Sequence, residues 1–259
     1  MHPFLEDKEG RLVVNPTQIN PFPAHLHTDV ELVYLFEGSA VLMVDGHEQP
    51  MQAGDLCICF PGVVHSYVSS RSARAMMVIF QPSLAPDFPV LLKHSYPLEP
   101  VLRRGSLPGD VALCMEQMLL EREGGFDPCV LRGYIQVVLA RTLPMLTLAN
   151  RAPEISDIVY SILKYLSAHY REPVRLEDVA RALGVSKAHL SRCFSERIGV
   201  NFRTYINTLR ANQAKMLLRS TTENVMSIAL ECGFESQRTF NRVFAEIYGM
   251  PPSEYRKRG

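Results

Sequence analysis

A pattern that occurs twice in the last hundred residues constrains this chain more than any other feature. The first copy runs Leu176, Val179-Ala180, Gly184, Ser186, Leu190, Arg192, Phe194 and Gly199. The second runs Val225, Ile228-Ala229, Gly233, Ser236, Phe240, Arg242, Phe244 and Gly249. Corresponding residues lie 49 or 50 positions apart, because the turn after the middle glycine is one residue longer in the second copy. Such detailed self-similarity marks one supersecondary unit used twice.

Each copy has the physics of two helices joined by a tight turn. A short helix (Leu176 to Leu183 in the first copy) must approach its partner closely, so a small residue, Ala180 or Ala229, stands at the crossing. Gly184 and Gly233 tolerate the positive φ that ends this helix. Ser186 and Ser236 can cap the next helix by accepting from its free N–H groups. In that second helix Leu190, Phe194 and Ile198, or Phe240, Phe244 and Ile247, recur at helical spacing and face inward. The opposite face then carries Lys187, Ala188, Ser191, Arg192 and Ser195 in one copy. In the other it carries Gln237, Arg238, Asn241 and Arg242. Guanidinium and amide groups can bond base edges with two hydrogen bonds, and small residues permit close approach in a major groove. The charge agrees: residues 1–153 carry 11 basic and 16 acidic side chains, residues 154–259 carry 16 and 11, and the whole chain is neutral. An acidic front and a basic back suit a polyanion as partner for the back.

At this point the residues resemble a known family. The stretch EDVARALGVSKAHLSRCFSERIGVNFRTYINTLRANQAKMLL, followed by SIALECGFESQRTFNRVFAEIYGMPPSEYRK, resembles the DNA-binding domain of AraC/XylS-type transcription regulators. The resemblance implies two helix-turn-helix units joined by one long helix at about 201–219, held by Phe202, Tyr205, Ile206, Leu209, Ala214 and Leu217-Leu218. It implies that both recognition helices enter successive major grooves of double-stranded DNA. The contacts carried over are Lys187, Ala188, Ser191, Arg192, Gln237, Arg238, Thr239, Asn241 and Arg242. Many relatives have a larger side chain where this chain has Ala188, so the first helix is expected to read mainly through Ser191 and Arg192.

The front half has a different texture. Short apolar stretches between residues 12 and 81 are separated by turn signals, among them Glu37-Gly38, Asp45-Gly46, Ala53-Gly54-Asp55 and Pro61-Gly62. Asp45-Gly46 favours a type I′ hairpin. This spacing predicts a small barrel or sandwich. Proline-rich residues 83–109 read as irregular crossings. Two helices follow, around Val111, Leu113, Cys114, Met118 and Leu119, then around Val130, Tyr134, Val137, Val138, Arg141 and Leu146. Asp127 is the expected N-cap of the second, with Pro128 at its first position. Both are apolar over a wide face, which suits either a core or a helix-pair dimer interface. Arg151-Ala152-Pro153 reads as a linker, and Ile155, Ile158, Val159, Ile162, Leu163 and Leu166 form one buried helical stripe beyond it.

A second constellation lies in the strand region. His25, His27 and Glu31 have the same parity and can share one face of an extended chain, and His65 follows in Pro61-Gly62-Val63-Val64-His65. Three imidazoles and a carboxylate can bind a divalent transition metal. The spacing HxHxxxExxxxxxG and the later PGVVH resemble the two motifs of the cupin barrel. Three readings stay open: a metal-free effector pocket, a bound divalent metal, or structural histidines. Strand alternation adds Val33, Met43 and Ile58 as apolar lining.

The expected fold is α+β and multidomain, with boundaries at 1–108 (cupin-like effector barrel), 109–150 (helical dimerisation region) and 154–259 (DNA-binding domain). The expected function is a ligand-responsive, sequence-specific transcription regulator, an activator rather than an enzyme. The alternative is a metal-binding cupin, sensor or enzyme, fused to a DNA-binding domain. Expected partners are DNA, a sugar or other metabolite, a second copy of the chain and RNA polymerase; no cofactor is required. A hydrophobic content of 47% with no long apolar run, a start without a basic apolar leader, and six cysteines without a CxxC pair point to a cytoplasmic chain with buried thiols and no membrane partner.

Overall fold

The computed structural model describes residues 12–19, 21–150 and 153–258; Arg151 and Ala152 of the predicted linker lie outside them. The front half is an antiparallel sheet built from β1 (Leu12–Gln18), β2 (Phe22–His25), β3 (Val30–Val44), β4 (His47–Gln52), β5 (Leu56–Cys59) and β6 (His65–Phe80). The stretch read as irregular contains α1 (Pro89–His94), β7 (Ser95–Pro97) and β8 (Val101–Leu102). Strand order is β1-β6-β3-β5-β8, with β2 also on β6 and β4 also on β3. Asp45 and Gly46 join β3 to β4 with φ of 49° and 81°, the two positive values a type I′ turn requires.

The expected turn at Glu37-Gly38 is instead an irregularity inside one long strand. Gly38 has φ 76°, and the β3–β6 register shifts between Leu35 and Glu37, between Glu37 and Ser39, and again between Val41 and Leu42. Inserted residues reverse parity. Val33 and Leu35 face the barrel interior, but beyond the shift it is Ala40, Leu42 and Val44 that do so, with Met51, Cys57, Cys59 and Tyr67. The other sheet face presents Val14, Leu32, Tyr34, Ile58, Met76, Val78 and Phe80.

That outer face is covered by α2 (Gly109–Gly124) and α3 (Pro128–Thr142) through Val111, Met115, Met118, Leu131, Ile135 and Val138. Asp127 caps α3, its Oδ1 accepting from Cys129 N at 2.7 Å, and Pro128 opens it as expected. The sheet selects one face of each helix. Leu113, Leu120, Val130 and Val137 are left exposed, so three apolar residues grouped with these helices by sequence, Leu113, Val130 and Val137, are not core. Cys129 is also exposed, while the other five cysteines are buried; all six are free. The short β9 (Leu148–Asn150) pairs with β7.

The back half is helical: α4 (Pro153–His169), α5 (Leu176–Ala182), α6 (Lys187–Cys193), α7 (Phe202–Ser220), α8 (Val225–Glu231), α9 (Gln237–Tyr248) and α10 (Pro252–Arg258). The predicted connecting helix is α7, one residue displaced, with Asn201 Oδ1 accepting from Thr204 N at 2.9 Å as its cap. Val159, Ile162, Leu163 and Leu166 form the buried stripe of α4; the side chain of Ile155 lies outside the described part. Two cores flank α7: one built on α4–α6, the other on α8–α10. Among the described residues no helix is long and apolar enough to cross a membrane.

Candidate ligand site and candidate nucleic-acid interface

β2, the segment that follows it, β3 and β6 bring His25, His27, Glu31 and His65 together. All four are buried, and one ligand atom from each lies within 4.8 Å of the others. Local backbone orients the three rings in the same way. His25 Nδ1 bonds Pro23 O, His27 Nδ1 bonds Asp29 O and His65 Nδ1 bonds Val63 O, each at 3.0 Å and each two residues away in sequence. A carbonyl acceptor requires a proton on Nδ1, which leaves Nε2 of a neutral ring as the lone-pair atom. His27 Nε2 lies 3.1 Å and His65 Nε2 3.5 Å from Glu31 Oε2. Tyr67, two residues beyond His65 on the same strand face, donates its phenol to Glu31 Oε1. Tyr67 was absent from the sequence expectation, and its parity with His65 was the available signal. Cys57 and Cys59 share the inner face, their sulfurs 3.9 Å apart.

Burial alone would raise the Glu31 carboxyl, but the charge of His65 and hydrogen bonds from His27 and His65 outweigh it and hold it well below the usual range. Burial also opposes a charged His65, yet the neighbouring Cys59 and Glu31 push it above the ordinary histidine value. Burial and the His65 charge drive His25 the other way, so it is neutral. Burial and the Glu31 charge raise Tyr67, keeping its phenol a donor. Opposed titration among buried neighbours arises both at functional sites and in structural ion-pair networks.

Of the predicted lining, Val33 shares the inner face with the cluster. Ile58 does not: it pairs with Leu32 and lies in the core beneath α2 and α3. Met43 does not either, because the register shift turns it outward, where its Cε lies 3.3 Å from the position a Cβ would take at Gly199.

In the back half both turn-and-cap devices form as the repeat required. Gly184 and Gly233 have φ of 66° and 88°. Ser186 Oγ accepts from His189 N at 3.1 Å, and Ser236 Oγ from Thr239 N at 3.2 Å. Leu190, Phe194, Phe240 and Phe244 are buried. Lys187, Ala188, Ser191, Arg192, Gln237, Arg238, Asn241 and Arg242 are all exposed, and Thr239 is half-buried. Lys187 pairs with Glu177, and Arg242 Nη1 bonds the Glu246 carboxylate at 2.7 and 3.0 Å. Exposed pairs of this kind are worth little in water and exchange readily for a polyanion.

Residues 17–135 match the family model described as an AraC-like ligand binding domain, and residues 179–258 match one described as a helix-turn-helix domain. An uncharacterized HTH-type transcriptional regulator of Staphylococcus aureus is 37% identical over 100 residues, 39% of this chain and 13% of that protein. YisR of Bacillus subtilis, likewise described as an uncharacterized HTH-type transcriptional regulator, is 35% identical over 100 residues, 35% of its length. The chain thus spans only a small part of these relatives. Among solved structures, ToxT from Vibrio cholerae O395 has a TM-score of 0.57 at 17% identity, covering 95% of this chain and 97% of ToxT. An apo ToxT variant gives 0.59 at 15% identity, covering 97% and 98%. The chain thus joins an AraC-like ligand binding domain to a helix-turn-helix domain that holds two tandem capped units, in a fold like that of ToxT.

Proposed function

We propose that this regulator binds specific DNA sequences through α6 and α9, which enter successive major grooves about 34 Å apart, and that a ligand in the barrel controls it. The observation that carries this reading is the pair of Ser-capped helices whose outer faces expose Lys187, Ala188, Ser191 and Arg192, then Gln237, Arg238, Asn241 and Arg242. Thr239, half-buried at the second cap, is assigned to the same interface. The functional divisions proposed are the barrel at 1–108, the helix pair at 109–150 and the DNA-binding domain at 154–259. Family resemblance supports an activator that works in the cytoplasm, touches RNA polymerase and catalyses no reaction. Leu113 and Leu120 on α2, and Val130 and Val137 on α3, lie seven residues apart on exposed helix surfaces. That spacing supports a homodimer through the helix pair.

The test is a selection of preferred sites from random duplexes, followed by binding of variants at constant salt. Arg192→Ala and Arg242→Ala are each expected to cost about 1–3 kcal/mol and to relax preference at particular base pairs. Equal losses on every duplex would assign the arginines to phosphate; failure to enrich any site would overturn the reading.

For the barrel, a ToxT structure is described as bound to an unsaturated fatty acid. In this chain the inner polar cluster supports a divalent transition metal as the ligand, or as the anchor for a metabolite such as a sugar. His27 and His65 bring Nε2 to 3.1 and 3.5 Å from Glu31 Oε2, and backbone carbonyls orient all three imidazoles, so an ion that displaced the Nε2 protons would meet Nε2 of each ring and the carboxylate together. His25, His27, Glu31 and His65 would hold the ion, which would supply a Lewis-acidic point for an effector's oxygen. Val33 is the apolar neighbour on that face. Elemental analysis of protein purified without chelator is expected to find about one metal per chain, lost in His27→Ala. Chelation is expected to lower the Tm, since a ligand of the folded state stabilises it. A metal-free protein with unchanged Tm in divalent salts would return the site to a purely organic effector.

A further inference from the structure

The two helix-turn-helix units serve as controls for each other, because they share one pattern and, among the described residues, only one of them has barrel residues in its core. The core on α4–α6 includes Ala24, Leu26 and Val64 from the barrel, whereas the core on α8–α10 is made wholly of residues 211–255. Ala24 and Leu26 alternate with His25 and His27, and Val64 precedes His65. The same short stretches therefore present ligand atoms to one side and packing surface to the other.

Positions that correspond in the repeat differ where they meet the barrel. Tyr255 keeps its ring within its own unit, 5.5 Å from Phe244 and 5.9 Å from Tyr248. Its counterpart Tyr205 is fully buried and donates its phenol across the domain boundary to Ala24 O at 2.7 Å. Ile247 corresponds to Arg197, whose guanidinium pairs with Asp45 of the β3–β4 turn at 3.0 Å. The segment Phe244–Tyr248 continues α9, whereas Phe194–Ile198 is a π-helical turn after α6. A π turn inside a helix frequently marks a functional site.

Resting on the reading of the barrel cluster as a metal site, we propose that its occupancy is transmitted to the first helix-turn-helix unit alone, through the wall Ala24, Leu26 and Val64 and the positioning residue Tyr205. Packed interiors do not deform continuously, so a shift of the histidines on ligation must move the residues between them. The buried Tyr205 phenol then either follows Ala24 or loses its acceptor. The ion biases the first reader only to the extent that it binds one arrangement of this wall more tightly than another.

The test is hydrogen exchange on the full chain, stripped with chelator and then given Zn²⁺ alone. Amides of 194–206 are expected to change protection at least about fivefold, the lower end of ordinary coupling between sites, and those of the corresponding 244–256 much less. His27→Ala should abolish the response. Tyr205→Phe should keep Zn²⁺ stoichiometry and helix content yet lose most of it. Zn²⁺ uptake with no change at 194–206, an equal change in both units, or a full response in Tyr205→Phe overturns this proposal and leaves the metal site standing. No uptake of Zn²⁺ overturns both. If Tyr205→Phe does not fold, the wild-type contrast between the two units decides the question alone.

Discussion

Phe240→Ala is expected to destabilise the second helix-turn-helix unit by about 3–5 kcal/mol, the range for truncating a fully buried aromatic residue. Phe240 has no exposed surface, and its ring lies 5.0 Å from Phe234 and 5.5 Å from Phe244. Neither neighbour can fill the void, because both are themselves buried in the same core. The first unit has a separate core, so its transition should stay in place. Denaturant unfolding followed by amide exchange should therefore show one early transition confined to α8–α10. DNA binding should fall to what one unit supplies. A loss below about 1 kcal/mol would mean that the aromatic core is not what holds α9 in position.

Gly46→Ala is expected to part the barrel from the first unit. Gly46 has φ 81°, and a Cβ there would lie 2.1 Å from the carbonyl oxygen of Glu196 and 3.2 Å from its carbonyl carbon. Left-handed backbone costs an L-residue about 1–2 kcal/mol. The overlap adds to this because the obstacle is backbone, not the yielding end of a side chain. We expect a total loss of about 2 kcal/mol or more, with faster exchange at 194–200 and a larger radius of gyration in solution scattering. Gly184→Ala is the control: φ is 66°, but nothing lies within 4 Å of the added carbon, so only the conformational cost remains. Equal effects of the two substitutions would show that the contact with Glu196 carries no weight.

Much of the fold was legible because its signals are local. The repeat, the Ser186 and Ser236 caps, the Asp45-Gly46 turn and the Asp127-Pro128 start each concern residues within a few positions of one another. The His25, His27, Glu31 and His65 cluster was legible in part: parity grouped its first three members, although His27 lies in the bend between β2 and β3, and only the pairing of β2 with β6 set His65 opposite His25. What failed was parity over distance. Met43 and Ile58 were placed by counting alternation along β3 and across to β5. The shifts between Leu35 and Ser39 reverse the count on β3, while Ile58 pairs with Leu32 on the outer face. The exposed faces of α2 and α3 were ambiguous for another reason. Both helices are apolar over a face wider than the sheet can cover, and only the sheet decides which part of it is core.

The sequence by itself determined that two capped, glycine-broken helix pairs would form and that three imidazoles and a carboxylate could share a strand face. Short-range sterics and hydrogen bonding suffice for the first, whereas the second also needs β2 to pair with β6, which sets His25 opposite His65. Only the tertiary structure decided that Tyr67 joins that carboxylate, that Tyr205 leaves its own unit to bond Ala24, and that Arg197 meets Asp45. These contacts join residues up to 181 positions apart. No local preference specifies such pairs; they exist because two cores, each closing on its own apolar surface, leave a shared wall that both must fill.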